Sequence, residues 1–336
     1  METFTPVNEE IEQLTCYKSA PESWWEDWPV VPLPEGPSSR IRYDILEHMA
    51  TILPAQSRNL IDMVISHLRE GADIMCKGVG RSYTASQPAN SAIVAGAAFT
   101  DTVVSWLKGK FVSGPHDLPP IPGLKLSAPM AMGKPDGSVR PVINFSSPAN
   151  QSVNDGIDKK EVRSYWHTTM ATAAQFGFIL LQAGRGAKFS KADMVNAYKL
   201  ILVRKEDWQL QGFQWMEKFF IELDLVMGAR SSANLFDSLH ELVIRIASTN
   251  TQFPRCLIAK CLDDVAAAAP ASSNRLYDFF SSYISTCEAA DIPLAEFNSE
   301  NGKAFLNKTE GVVLGVQFNT VTLTWHFPPK KWSKLF

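Results

Sequence analysis

The sequence predicts an α+β protein, and three observations support that class. Apolar residues recur at helical spacing in several separate stretches, among them Ile61, Val64, Ile65 and Leu68. Short apolar runs broken by turn-forming residues read as β-hairpins, as around Pro135-Asp136-Gly137. One further break, Cys261-Leu262-Asp263-Asp264, sets two adjacent carboxylates between the mostly apolar stretches 253–259 and 265–269. Asp is seldom fully buried unless it is paired or ligates a metal. An Asp-Asp step in such surroundings therefore calls for a cation or for a tight turn capping two strands, and both readings stay open on this stretch alone.

Composition narrows the class. With 336 residues, 45% of them hydrophobic, the chain is long enough for two or three subdomains with cores of their own, as in a globular enzyme. Lys and Arg total 32 against 35 acidic residues, so any polyanion site must be local. The five cysteines form no CxxC pair, which fits reduced thiols and suggests no zinc site. Residues 1–12 lack the pattern of a secretory signal, and no apolar run approaches membrane-spanning length. The expectation is a soluble intracellular protein, cytoplasmic or nuclear, without a membrane partner.

In chain order, residues 1–39 hold Trp24, Trp25, Trp28 and prolines at 21, 29, 32, 34 and 37, the composition of an irregular or extended arm. Two helices follow over 40–70, with Pro54 between them, and a Gly-rich interval around Gly78 and Gly80. Phe99, Val103, Val104 and Leu107 give another amphipathic helix, ending toward Gly114-Pro115. Residues 126–145 form the hairpin, with Lys134 just before its turn and Arg140 just after. These two could present cations to an anion or simply decorate a solvated tip.

A third carboxylate, Asp193, lies 70 residues upstream of Asp263, between a strand around Phe189 and a second apolar run over 200–203. It could be an N-cap. With Asp263 and Asp264 it could instead bind a pair of hard divalent cations, the device by which phosphoryl transfer is assisted, and Mg2+ is the expected metal. Farther on, Gly228 would allow close backbone approach to a ligand, Arg230 is the residue placed to meet phosphate or base, and Ser231-Ser232 suit a helix start; a packed helix with a glycine hinge fits equally. A helix over 276–289 and a hairpin, with strands 311–318 and 321–325 around Asn319-Thr320, complete the pattern.

Taken together, the 126–145 hairpin, Asp193 with Tyr198, residues 228–236, the Asp pair and Leu314-Gly315 resemble, in order and spacing, the motif series of reverse transcriptases. Ser152-Val-Asn-Asp-Gly156, Gln211-Gly-Phe-Gln-Trp215, Gly228-Ala-Arg-Ser-Ser232 and Lys303-Ala-Phe305 resemble those of tyrosine-recombinase (DIRS-type) retrotransposons. The resemblance covers roughly residues 60–332. It implies a right-hand polymerase fold: a helical N-terminal extension (1–90), fingers (91–186) and a palm (187–336) with an antiparallel sheet flanked by helices, residues 206–222 being assignable to the fingers instead. Asp193, Asp263 and Asp264 would be the catalytic carboxylates holding two Mg2+ (or Mn2+) ions, with the Met194 carbonyl as an extra ligand. Tyr198 would lie beneath the incoming sugar and exclude a 2'-hydroxyl, or else be an ordinary core tyrosine. Lys134 and Arg140 would hold the triphosphate, residues 228–233 would shape the floor beneath template and nucleotide, and Leu314-Gly315 would grip the primer. The implied partners are a primed RNA or DNA template, dNTPs and other parts of a retroelement polyprotein.

The chain departs from the family at Cys261, where an aromatic residue is usual, at Ala233 and at Met227. It stops at Phe336, which leaves the thumb largely missing and suggests a fragment of a polyprotein or a decaying copy. Two functions follow: an RNA-directed DNA polymerase of a retrotransposon, or a non-catalytic retroelement-derived protein that binds nucleic acid or a protein partner.

Overall fold

The computed structural model describes residues 27–78, 88–133, 139–299 and 302–328. Its helices are α1 (Tyr43–Met49), α2 (Arg58–Glu70), α3 (Asn90–Val94), α4 (Gly96–Lys108), α5 (Lys159–Tyr165), α6 (Ala173–Ala183), α7 (Ser232–Thr251) and α8 (Arg275–Ala289). Its strands are β1 (Val112–His116), β2 (Ala128–Gly133), β3 (Val139–Asn144), β4 (Lys188–Asp193), β5 (Gly212–Trp215), β6 (Lys218–Glu222), β7 (Ile258–Cys261), β8 (Asp264–Ala269), β9 (Phe305–Lys308), β10 (Glu310–Val313), β11 (Val316–Asn319) and β12 (Thr324–His326). Helices and sheets alternate along the chain, so the fold is mixed, as expected. Two compact units result: one holds the described residues up to Ser38, Arg69–Ser164 and Ile201–Ser232, the other Ser39–Leu68, Tyr165–Leu200 and the chain from Ala233 onward.

In the first unit, β1-β6-β5 form an antiparallel sheet and β2 pairs with β3. Phe99, Val103 and Leu107 line the buried face of α4, where Phe99 packs 4.4 Å from Trp215, and Phe213 stacks on Phe220 at 5.1 Å. Gly114-Pro115, expected to follow the helix as its end, lies instead inside β1. The strand's register shifts there, and Gly114 pairs with Val31 of the proline-rich arm; a proline is accommodated at such an irregularity because the ladder is already interrupted. The run 200–203, expected as a strand leaving a short turn or helix that begins near Asp193, starts with Leu200 at the end of a 3-10 turn (Ala197–Leu200) and then makes only single bridges, Leu202 to Asp224 and Val203 to Ala72. Their partners change from residue to residue and no ladder can propagate. Trp24, Trp25, Gly80, Lys134 and the Pro-Asp-Gly turn lie outside the described residues.

In the second unit, β7-β8-β4-β9 form a four-stranded antiparallel sheet. Side chains alternate between its faces. Phe189, Ala259, Ala266 and Ala268 point toward α6 and the β10–β11 hairpin, joining Phe176, Ile179, Leu180, Val316 and Phe318 in one core. The opposite face meets α8, which contacts β4, β8 and β9. The alanine run 266–269 is buried on both faces, and its small side chains let helices approach closely. Residues 311–318, expected as one strand, are split into β10 and β11 by a turn at Leu314-Gly315. Both turn residues take positive φ (49° and 78°), as in two-residue hairpin turns, and β11 then pairs with β12.

Candidate active site

The second unit brings the three predicted carboxylates to one end of its sheet. Strand β4 alternates so that Phe189, Lys191 and Asp193 share a face, the first in the apolar core and the last at the sheet end. Asp193 is paired directly with Asp264 across the β4–β8 ladder. Strands β7 and β8 meet in a two-residue turn, Leu262-Asp263, where Leu262 takes φ 52°. The stretch is thus a hairpin turn capping two strands, and the same turn brings its carboxylates beside Asp193. Asp263 also joins the cluster through its backbone, its carbonyl accepting from the Met194 N–H at 3.1 Å.

Like charges directly opposite each other on a sheet repel, and the cluster is only partly reached by water. Burial, and next the carboxylate of Asp264, push the Asp193 carboxyl up to about 6. Burial, with Asp264 again second, also raises Asp263. Two lysines supply counter-charge: Lys191 Nζ lies 3.0 Å from Asp264 Oδ1, and Lys303 Nζ lies 3.9 Å from Asp193 Oδ1. The first pair is close but not aligned as a hydrogen bond, so the buried Oδ1 of Asp264 accepts no directed bond.

Hard carboxylate oxygens that repel one another, one of them met only by an ammonium, suit a hard divalent cation in their chemistry. Among the described residues no three His, Cys, Asp or Glu side chains converge as a metal-holding group, and the lysines stand where positive charge is needed. The donor set fits such ions; the convergence of the side chains is incomplete.

Met194 is buried, and the bridge on either side of it uses the Asp193 carbonyl and the Val195 N–H. Tyr198 is half-buried and meets Phe236 of α7 edge to face at 5.8 Å. Burial, then the neighbouring Asp263, push its hydroxyl up to about 12, so it stays protonated beside the cluster. Leu314 and Gly315 form the β10–β11 turn.

The remaining predicted residues belong to the first unit. Arg140 lies on β3, exposed, opposite Met132. Gly228 takes φ 113° and faces the Ile143 carbonyl, which a Cβ would approach to 3.3 Å. The loop it begins is held by buried Asn154, whose Nδ2 donates to the carbonyl of Gly228 and to Ser146 Oγ, each at 2.8 Å, while its Oδ1 accepts from the Arg230 N–H at 2.9 Å. The Arg230 guanidinium, predicted to meet phosphate or base, donates through Nη1 to the carbonyls of Asn154 and Ile157 and so braces its own loop.

Sequence reasoning passed over Lys191, His240, Lys260 and the bracing role of Asn154. Lys191 had a signal, being two residues before Asp193 and thus on its face. Asn154 lies in the Ser152–Gly156 stretch that resembles the retrotransposon motif. Lys260, 2% exposed and ion-paired to Asp237 at 2.8 Å and Glu241 at 3.1 Å, has partners on a distant helix that no local pattern reveals.

Comparison with solved structures gives the molecule a reverse-transcriptase-like fold. The foamy viral protease-reverse transcriptase in complex with an RNA/DNA hybrid matches with a TM-score of 0.56 and 14% identity over 93% of this chain and 39% of its own. The same enzyme's dRH form in complex with double-stranded DNA matches at 0.55 and 15%, over 93% of this chain and 51% of its own. The native prototype foamy virus enzyme matches at 0.51 and 15%, over 89% and 37%. The chain thus spans about half, or less, of each of these proteins. No protein-family model and no curated protein sequence matches it. Among the described residues no helix is long and apolar enough to cross a membrane.

Proposed function

We propose that the chain is the polymerase region of a retrotransposon reverse transcriptase, an RNA-directed DNA polymerase of the DIRS type. The observation that carries the reading is the direct opposition of Asp193 and Asp264, with Asp263 in the adjoining turn, at the end of an antiparallel sheet in a reverse-transcriptase-like fold. In the proposed reaction a primer 3'-hydroxyl attacks the α-phosphorus of a dNTP, a new phosphodiester bond forms, and pyrophosphate leaves. Asp193, Asp263 and Asp264, with the Met194 carbonyl, would hold two Mg2+ or Mn2+ ions. Such ions, when bound, supply positive charge at the attacking and leaving oxygens.

The chain's own groups do the rest. The Tyr198 ring, steadied by Phe236, would sit under the sugar and bar a 2'-hydroxyl. Lys134 and Arg140 would hold the triphosphate by charge-assisted hydrogen bonds, and residues 228–233, braced by Asn154 and Arg230, would form the floor beneath template and nucleotide. Leu314-Gly315 would press on the primer end. Residues 1–90 would be an extension, 91–186 fingers and 187–336 palm.

A non-catalytic, nucleic-acid- or partner-binding role is favoured by one observation, the seating of the Lys191 ammonium 3.0 Å from Asp264 Oδ1, where it supplies the charge a cation would. Primer extension on an RNA template with dNTPs and Mg2+ or Mn2+ separates the two. Extension by the parent and none by Asp263→Asn supports the polymerase; equal extension by both removes the catalytic assignment, and no extension by either supports the binding role.

A further inference from the structure

One face of α7 grips the hairpin that carries Asp263 and Asp264. His240 and Glu241 lie three and four residues after Asp237, so each neighbours it on the helix surface. Asp237 and Glu241 hold the buried ammonium of Lys260 on β7. Two residues on, the imidazole of His240 is hydrogen-bonded through Nδ1 to the carbonyl of Leu262, the turn residue in the left-handed region. His240 is fully buried, and its Nε2 lies 2.9 Å from the hydroxyl of Tyr283 on α8, itself buried.

Donor logic fixes the ring. A carbonyl only accepts, so Nδ1 carries the proton; a neutral imidazole then accepts at Nε2 from the tyrosine hydroxyl. Burial keeps the ring neutral, pushing His240 down to about 3. The donations run in one direction, from Tyr283 to His240 and from His240 to Leu262. They end on the backbone of a non-glycine residue with positive φ, a conformation that persists only when its surroundings hold it.

We propose that His240 is a positioning residue: by fixing the Leu262 carbonyl in the Nδ1–H tautomer it holds the turn that aims Asp263 and Asp264. The proposal rests on the polymerase reading for its purpose, but its geometry can be tested without it. In the full chain labelled with 15N-histidine and free of metal, the His240 signal, assigned by its loss in His240→Gln, is expected to show Nδ1 protonated and Nε2 accepting. Amide exchange at residues 262–264 is expected to accelerate about tenfold or more in His240→Leu, which keeps bulk but donates nothing, a factor in keeping with one lost buried hydrogen bond. In His240→Gln, whose amide can donate, it should stay within about threefold of the parent.

Mn2+ titration followed by electron paramagnetic resonance should give the same order, with binding about tenfold weaker in His240→Leu and restored in His240→Gln. An Nε2–H tautomer, or equal exchange at the turn in all three proteins, would overturn the proposal. A parent that binds no Mn2+ would overturn the polymerase reading, and the tautomer and exchange data would still decide the clamp.

Discussion

Asp193 and Asp264 face each other across the β4–β8 ladder, two carboxylates at directly opposed positions on one face of a sheet. With Lys191 and Lys303 both nearby, burial and the Asp264 carboxylate still disfavour ionised Asp193, pushing its carboxyl up to about 6. Asp193→Asn is therefore expected to stabilise the metal-free chain by about 1 kcal/mol, the scale of a cross-strand pair, while abolishing primer extension. Urea unfolding in the presence of a chelator checks the first half; a less stable variant would show that the lysines outweigh the repulsion.

Lys260 is buried with two carboxylates around it, and Glu241 is further paired with Arg245 at 3.0 Å and Arg255 at 2.9 Å. Removing the lysine leaves buried negative charge without its partner. Lys260→Met should cost about 3–5 kcal/mol in urea unfolding, far more than a surface lysine. A loss under 1 kcal/mol would mean that Arg245 and Arg255 suffice.

The same network sets an acid limit. Burial alone would raise the Glu241 carboxyl, but Lys260, Arg255 and Arg245 overcome it and bring it down to about 2, against 4.5 unperturbed. Because the folded value is the lower one, the stabilisation is present above pH 4.5 and is lost as pH falls through about 2. It amounts to roughly 3 kcal/mol, an order-of-magnitude figure. Glu241→Gln should accordingly lose less stability than the parent between pH 5 and pH 2.5. Parallel unfolding curves at the two pH values would remove Glu241 from the acid response.

Tyr198 is held by Phe236 at a defined angle, 64° between ring planes. If it bars the 2'-hydroxyl, Tyr198→Val should raise ribonucleotide incorporation at least about tenfold, the equivalent of ~1.4 kcal/mol of discrimination. Competition between dCTP and CTP in single-nucleotide extension measures this, and an unchanged ratio would leave Tyr198 as core packing.

Asn154 satisfies the Gly228 carbonyl and the Arg230 N–H with one side chain. Asn154→Ala leaves these groups without it and should cost about 2–4 kcal/mol. The neighbouring cap residue gives an internal comparison: Ser152→Ala, which loses a capping box, should cost only about 1 kcal/mol. Equal costs would show that the loop is held by other contacts.

The sequence was most legible where periodicity and local turn chemistry decide the outcome. The apolar spacing of Phe99, Val103 and Leu107 was enough to find α4, and Ser231-Ser232 marked the start of α7. The run 311–318 was misread because a two-residue turn can be made by Leu-Gly in an apolar context, without the Asn or Asp that usually signals it. At the candidate site the three carboxylates were visible as residue types. Their opposition was not, because cross-strand register joins positions about 70 residues apart. His240 was invisible for a related reason: a lone histidine in an apolar helix carries no mark of the carbonyl it will bind.

The alanines of β8 impose a one-way constraint on how this chain can vary. Almost nothing can be cut from 266–269, so truncation opens little void, but every enlargement overpacks a layer filled from both sides, at about 1–3 kcal/mol each. Such growth would first displace the helices lying against that strand, α8 among them. The carboxylates at the end of β8 are thus guarded by residues that have no functional groups at all.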